Sequence, residues 1–264
     1  MGDCHFFDSM PSLLSNLQTG SLFLTLNRPE RANSFNFELV SELQRALAEA
    51  EQDSQVRCIV LTAAGKVFSA GQDISEMKKG GNISYREHLN KTYNPLILQI
   101  RNMGKPVIAA VNGACAGAAL GIALACDLRL AKSNAYFVVG FSGIGLAPDS
   151  AVSLLLPKYI GLGRAQGYFY SNKRISAYEA FQWGMVNQVG GFGFDKLVMR
   201  VATELAEGPA RAFALGKQAF NQATLPNLEE TLDREGMLQE EAGKSSEHNE
   251  GVAAFFEKRK PKFK

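Results

Sequence analysis

The stretch GIGLAPDSAVSLLLPKYIG, residues 143–161, carries one acidic side chain, Asp149, in largely apolar surroundings. A carboxylate placed there has two uses. It can cap a helix, since it follows Pro148 and precedes a helical run. It can also move a proton: apolar burial beside Ile144, Leu146 and Val152 raises a carboxylate's pKa, and an acid nearer neutrality is the better shuttle. Two other stretches, FSAGQDI (68–74) and NGACAGAALGIA (112–123), share one design, a small-residue loop running into a helix start. A helix start leaves backbone N–H groups unpaired and carries positive partial charge. Each stretch alone also reads as a tight turn. Converging on one oxygen, the two would form an oxyanion hole for a carbonyl becoming an enolate.

Other chemistries lose support. Gly143 and Gly145 are followed by Pro148 where a dinucleotide fingerprint needs its third glycine, and Gly161 and Gly163 by Gln166. Val60 stands where a phosphate loop ending at Gly65-Lys66 needs glycine, and Ile144 where a nucleophile elbow around Ser142 needs it. His5, His88 and His248 are far apart in sequence and read as packing or surface residues, so no metal is expected. Cys4, Cys58, Cys115 and Cys126 form no C-x-x-C pair and read as reduced packing residues of a cytoplasmic protein. A net charge of +2 with scattered basic residues gives no basis for a nucleic-acid partner. Residues 107–126 contain no charge, yet Pro106, the β-branched run VIAAV and the Asn112-Gly113 turn suit a buried strand and helix better than a membrane span.

The elements that must position these groups follow from periodicity. Strands are expected at 13–16, 21–26, 58–62, 107–111 and 127–131, and helices at 37–51, 85–103 and 117–125. Asp73-x-x-Glu76 has the form of a capping box, with Asp73 as N-cap. From residue 162 onward the signals are nearly all helical, at 161–170, 176–184, 193–207, 209–222, 227–242 and 247–258. Strand–helix alternation followed by a helical third argues an α/β fold in one folding unit. Asp127 and Arg129 read as a structural ion pair or a strand-end anchor.

The stretches LNRPERANSFN, FSAGQDISEM, KPVIAAVNGACAGAALGIALACDLRLA, GIGLAPDSAVSLLLPKYIG, ISAYEAFQWGMVNQV and EGVAAFFEKRKPKF, in this order, resemble the crotonase superfamily, the enoyl-CoA hydratase/isomerase family. The resemblance implies a spiral core of ββα units with the acyl-CoA site over residues 1–205. It also implies a helical C-terminal region, 206–264, that packs between subunits of a homotrimer or dimer of trimers. The substrate would be an acyl-CoA thioester, coenzyme A being part of the substrate and no separate cofactor being needed. Its carbonyl oxygen would accept the N–H groups of Gln72 and Ala118, the family usually having glycine at the second position. Ala70, Asp73, Ile74, Gly117 and Phe141 would line the acyl-CoA site, and the tail around Phe255 and Lys258 would cover coenzyme A.

The family's hydratases use two glutamates, whose positions here hold Gly121 and Phe141. Asp149 stands at the position of the carboxylate in Δ3-Δ2-enoyl-CoA isomerases and ring 1,2-epoxyphenylacetyl-CoA isomerases. The resemblance therefore implies an isomerase with Asp149 as proton shuttle. The alternatives are a hydratase with an unseen partner acid, or an acyl-CoA-binding scaffold without turnover.

Overall fold

The computed structural model describes residues 11–79 and 84–263, so Cys4 and His5 lie outside the described residues. The chain begins with an antiparallel pair, β1 (Leu13–Gln18) and β2 (Ser21–Leu26), turning at Thr19-Gly20. Helix α1 (Phe37–Gln52) follows, capped by Asn36, whose side chain accepts from the Leu39 N–H. Three units then repeat one plan of a long strand, a short strand and a helical segment. They are β3 (Cys58–Ala63), β4 (Val67–Ser69) and α2 (Ile74–Lys79), with α3 (Tyr85–Lys91) and α4 (Tyr93–Asn102) appended; then β5 (Val107–Val111), β6 (Ala114–Ala116) and α5 (Ala118–Ala125); then β7 (Leu128–Lys132), β8 (Tyr136–Val138) and α6 (Val152–Ile160). The remainder is α7 (Leu162–Ser171), β9 (Arg174–Ser176), α8 (Ala177–Gln182), β10 (Gln188–Gly190), α9 (Phe194–Glu207), α10 (Ala210–Thr224), α11 (Leu228–Gly243) and α12 (Ser246–Phe256).

The long strands form a sheet ordered β1-β2-β3-β5-β7-β10, parallel beyond the first pair. The short strands form a second sheet, β4-β6-β8-β9. Side chains alternate between faces along a strand, and here both faces of the large sheet are covered. Ile59, Leu61, Val107, Ala109 and Val111 enter the main core, while Cys58, Val60, Ile108 and Ala110 pack under α9 on Val198, Val201 and Ala202. That double burial is why CIVLT and VIAAV are unbroken apolar runs. All eight residues of α5 are buried, and among the described residues no helix is long and apolar enough to cross a membrane.

The structure corrects the sequence reading in several places. The expected helix 85–103 breaks at Thr92, because Pro95 has no N–H to donate to the Lys91 carbonyl. The Gln44 side chain donates to the Lys91 and Thr92 carbonyls instead. A short strand, β6, stands inside the expected turn between β5 and α5. Asp127 and Arg129 do not pair. Asp127 binds Arg101, Lys217 and the Val107 N–H, whereas Arg129 donates to the Met185 and Cys126 carbonyls and stacks on Tyr159. Cys58, Cys115 and Cys126 are free and buried, and burial pushes the thiols of Cys58 and Cys126 up to about 12.

Candidate active site

Strands β4 and β6 lie side by side and run parallel, Val67 facing Ala114 and Ser69 facing Cys115, so the loops that leave them emerge together. Both loops are brought into contact at Gly71. A Cβ on that residue would stand 2.7 Å from the Ala116 carbonyl oxygen and 3.4 Å from the Ala118 nitrogen, and its φ of +89° also suits glycine alone. Gln72 forms a parallel bridge with Phe35, in which the bonds are Phe35 N–H to the Gly71 carbonyl and Asp73 N–H to the Phe35 carbonyl. In such a bridge the middle residue's own N–H faces away from the partner strand. Ala118 is the first residue of α5, where no intrahelical acceptor exists. Among the described residues neither the Gln72 nor the Ala118 N–H has a protein acceptor, and both residues border one cavity of about 640 Å³.

The segment LNRPERANSF supports this arrangement from below. Asn33 Nδ2 donates to the Ala64 and Val67 carbonyls at 2.9 and 2.7 Å. Arg28 donates to the Ser34 carbonyl and pairs with Asp73 at 3.2 Å. Asp73 also accepts from the Ser75 N–H and hydroxyl, which with Arg28 hold its carboxyl below the usual range against the opposing effect of partial burial. Asp73 thus caps α2, but the expected box does not close: Glu76 accepts the Phe37 N–H instead. Asp73 is also absent from the cavity wall, because its carboxylate is spent on Arg28 and Ser75.

Ala70, Gln72, Ile74, Gly117, Ala118, Phe141, Asp149 and Phe255 all line the cavity. Lys258 does not. It is exposed, in a left-handed conformation just beyond α12, where its ammonium stays in water. Asp149 is buried and, among the described residues, is the one carboxylate of the wall. Its Oδ1 accepts from the Ser150 hydroxyl and its Oδ2 from Gln239 Nε2, each at 2.7 Å. Burial raises it to about 6, against the opposing pull of those two donors. It does not cap α6. That helix begins at Val152, and the N–H groups of Ala151 and Ser153 at its start are taken by Glu235 of α11, at 2.8 and 2.9 Å. The cavity also cannot regain a second acid at Gly121, where any Cβ would lie 2.4 Å from the Ser150 carbonyl oxygen.

Sequence reading missed the groups that hold these residues. Gln72 Oε1 accepts from Tyr93 Oη at 2.5 Å and lies 2.8 Å from His88 Nε2, which fixes the loop whose N–H faces the cavity. Burial holds the His88 imidazole below its ordinary range. His248 Nδ1 lies 2.8 Å from the Ile144 carbonyl, so it donates there and its Nε2 accepts from the Tyr85 hydroxyl, joining α12 to α3 over the cavity. Only helical spacing marked Tyr85, Glu235 and Gln239, and nothing local distinguished them from ordinary helix residues. Among the described residues no group of His, Cys, Asp or Glu is arranged to hold a metal ion.

The burial of Asp149 has a measurable consequence for stability. Its folded pKa of about 6 exceeds its ordinary 3.8, so the folded chain binds that proton more tightly than the unfolded chain. This contribution is fully present below about pH 4 and is lost as pH rises through about 6. Asp149→Asn removes it. The stability of the variant relative to the parent should therefore rise by up to about 3 kcal/mol between pH 4 and pH 7.5 in urea titrations. A difference that stays flat across that range would refute the buried, ionising carboxylate.

A family model described as enoyl-CoA hydratase/isomerase matches residues 17–264. The chain is 40% identical to 1,2-epoxyphenylacetyl-CoA isomerase of Escherichia coli K12, over 96% of this chain and 98% of that protein. It is 38% identical to a probable enoyl-CoA hydratase of Rhodobacter capsulatus, over 94% of this chain and 95% of the relative. The crystal structure of an enoyl-CoA hydratase from Mycobacterium avium superposes with a TM-score of 0.87 at 35% identity, covering 96% of this chain and 98% of that one.

Proposed function

We propose that this chain, which belongs to the enoyl-CoA hydratase/isomerase family, is an acyl-CoA isomerase that works through a thioester enolate with Asp149 as its proton shuttle. The observation that carries this reading is the buried Asp149 carboxylate, alone among the described acids in a cavity that also receives the N–H groups of Gln72 and Ala118, unpaired among the described residues. The thioester carbonyl binds those two N–H groups. Asp149 then takes a proton from the α carbon, and the C–H electron pair moves into the enolate, which the two donors stabilise. Returning the proton to the γ carbon moves a 3,4 double bond to the 2,3 position. One acid on one face suffices for this exchange. Hydration must also activate water, and among the described residues no second carboxylate lines the wall for that task.

The 1,2-epoxyphenylacetyl-CoA isomerase relative supports a second substrate for the same machinery, a ring epoxide borne next to the α carbon of the thioester, which rearranges to an oxepin once that carbon loses its proton. The apolar side chains of Leu89, Phe141, Ile144 and Leu146 on the wall disfavour water beside such an intermediate.

The reading is tested by the pH dependence of kcat/KM with a 3-enoyl-CoA. Activity requires ionised Asp149, so it should fall below an acid limb near pH 6 and be level from about pH 7 to 8. Crotonyl-CoA hydration measured on the same protein should be at least about a hundredfold slower than isomerisation. Hydration as fast as isomerisation, or a profile without the limb, would overturn the assignment.

A further inference from the structure

Three residues spaced four apart on α11 face the candidate site: Glu235, Gln239 and Gly243. Glu235 holds the backbone of the turn that carries Asp149, through Ala151 N–H and through the N–H and hydroxyl of Ser153. Gln239 holds the Asp149 side chain at Oδ2. Gly243 leaves room for the Tyr85 ring, which a Cβ would meet at 2.3 Å. Gln239 is 2% exposed, and among the described residues its Oε1 has no hydrogen-bond partner. A buried acceptor left unpaired costs free energy that leucine at this position would avoid. The amide is thus oriented by the one bond it makes, to the carboxylate.

We propose that Gln239 is a positioning residue that makes the two oxygens of Asp149 inequivalent, pinning Oδ2 as an acceptor so that Oδ1 alone carries the proton. The partner of Oδ1 is the Ser150 hydroxyl, a rotor that donates to the carboxylate and turns to accept, or swings aside, once Oδ1 is protonated. The amide nitrogen of Gln239 has no such freedom, since it only donates. In the forward step the substrate C–H bond breaks, an O–H bond forms at Oδ1 and the electron pair enters the enolate. The return step reverses this at the other carbon.

Several groups surround Asp149. Glu235 stands behind it on α11; Tyr93 approaches from α4; Tyr85 and His88 of α3 and His248 of α12 share its cavity. Burial keeps Tyr93 and Tyr85 above, and His88 below, their ordinary ranges, which favours the neutral form of each. Burial also raises Glu235, to about 7, with the Asp149 charge adding to that effect. None of the five is altered by a substitution at Gln239 alone, so each acts equally on the parent and the variants.

The test uses full-length Gln239→Leu and Gln239→Glu with a 3-enoyl-CoA across pH 5 to 9, with melting curves on the same samples. Gln239→Leu removes the donor to the anion. Its acid limb should move up by about half a pH unit or more, with kcat reduced about tenfold and KM within about twofold. Gln239→Glu sets a second carboxylate against the first, and its limb should move further, by about one unit or more. Limbs that stay at the parental pH in both folded variants would overturn the role given to Gln239. The inference rests on the isomerase reading, so Asp149→Asn is measured alongside. If that variant stays active the reading itself fails; if it is inactive while the limbs are unmoved, only the role of Gln239 fails.

Discussion

Asp149→Asn is expected to lower kcat for 3-enoyl-CoA isomerisation by about 10³-fold or more, with KM little changed. An amide has no basic site for a carbon-bound proton, and general base catalysis by a positioned group contributes about 10²–10⁴-fold. Because no other carboxylate among the described residues lines the cavity, none of them replaces it. The substitution is nearly isosteric, and the Gln239 amide can turn its unpartnered Oε1 toward the NH₂ group that the substitution introduces, so the site should keep its shape. The same variant is the one expected to gain stability above pH 6, where the parent buries a charge. Loss of turnover together with a higher melting temperature is hard to produce by misfolding. In deuterated water the parent should place label at the γ carbon of the product to the extent that Asp149 exchanges with solvent, and the variant should place none. Undiminished isomerisation by the variant would end the assignment.

Ala118→Pro is expected to cost about 10²–10³-fold in kcat/KM, the usual loss for one oxyanion-hole donor. Proline removes the N–H that faces the cavity and puts ring carbon in its place. Ala118 is the first residue of α5, the helical position where proline is best tolerated, so stability should change by less than about 1 kcal/mol. The companion Ala118→Gly retains the N–H and should keep the rate within about tenfold of the parent. Steady-state kinetics on both variants, with circular dichroism to verify the helix content, separates the loss of a donor from loss of fold. Equal rates for the proline and glycine variants would show that the carbonyl is not held there.

Much of the fold was legible because its signals are local. CIVLT and VIAAV declare strands through unbroken apolar runs, and the amphipathic pattern of 193–207 and 209–222 declares helices, which the structure places at Phe194–Glu207 and Ala210–Thr224. The short strands β4, β6, β8, β9 and β10 carry only three residues each, too few for periodicity to register. The break at Thr92 has a local cause in Pro95, but the side chain that takes up the freed carbonyls is Gln44 of α1, which no local pattern connects to them.

The amino-acid order alone placed a lone acid in an apolar stretch and two glycine-bearing helix starts; that Gly121 and Phe141 stand at the two hydratase glutamate positions was implied by the family resemblance. These are statements about residue type and spacing, which a chain carries whether or not it is folded. Tertiary structure decided that the helix starts meet, because β4 and β6 are parallel neighbours and Gly71 admits the Ala116 carbonyl. It decided that Asp149 is free of capping duty, because a carboxylate 86 positions further along, Glu235, reaches back to take those N–H groups. It also excluded Asp73 and Lys258 from the cavity, one held by an ion pair and one left in solvent. Hydrogen-bond partners and burial belong to the packed state, and a proton-transfer site is made of both.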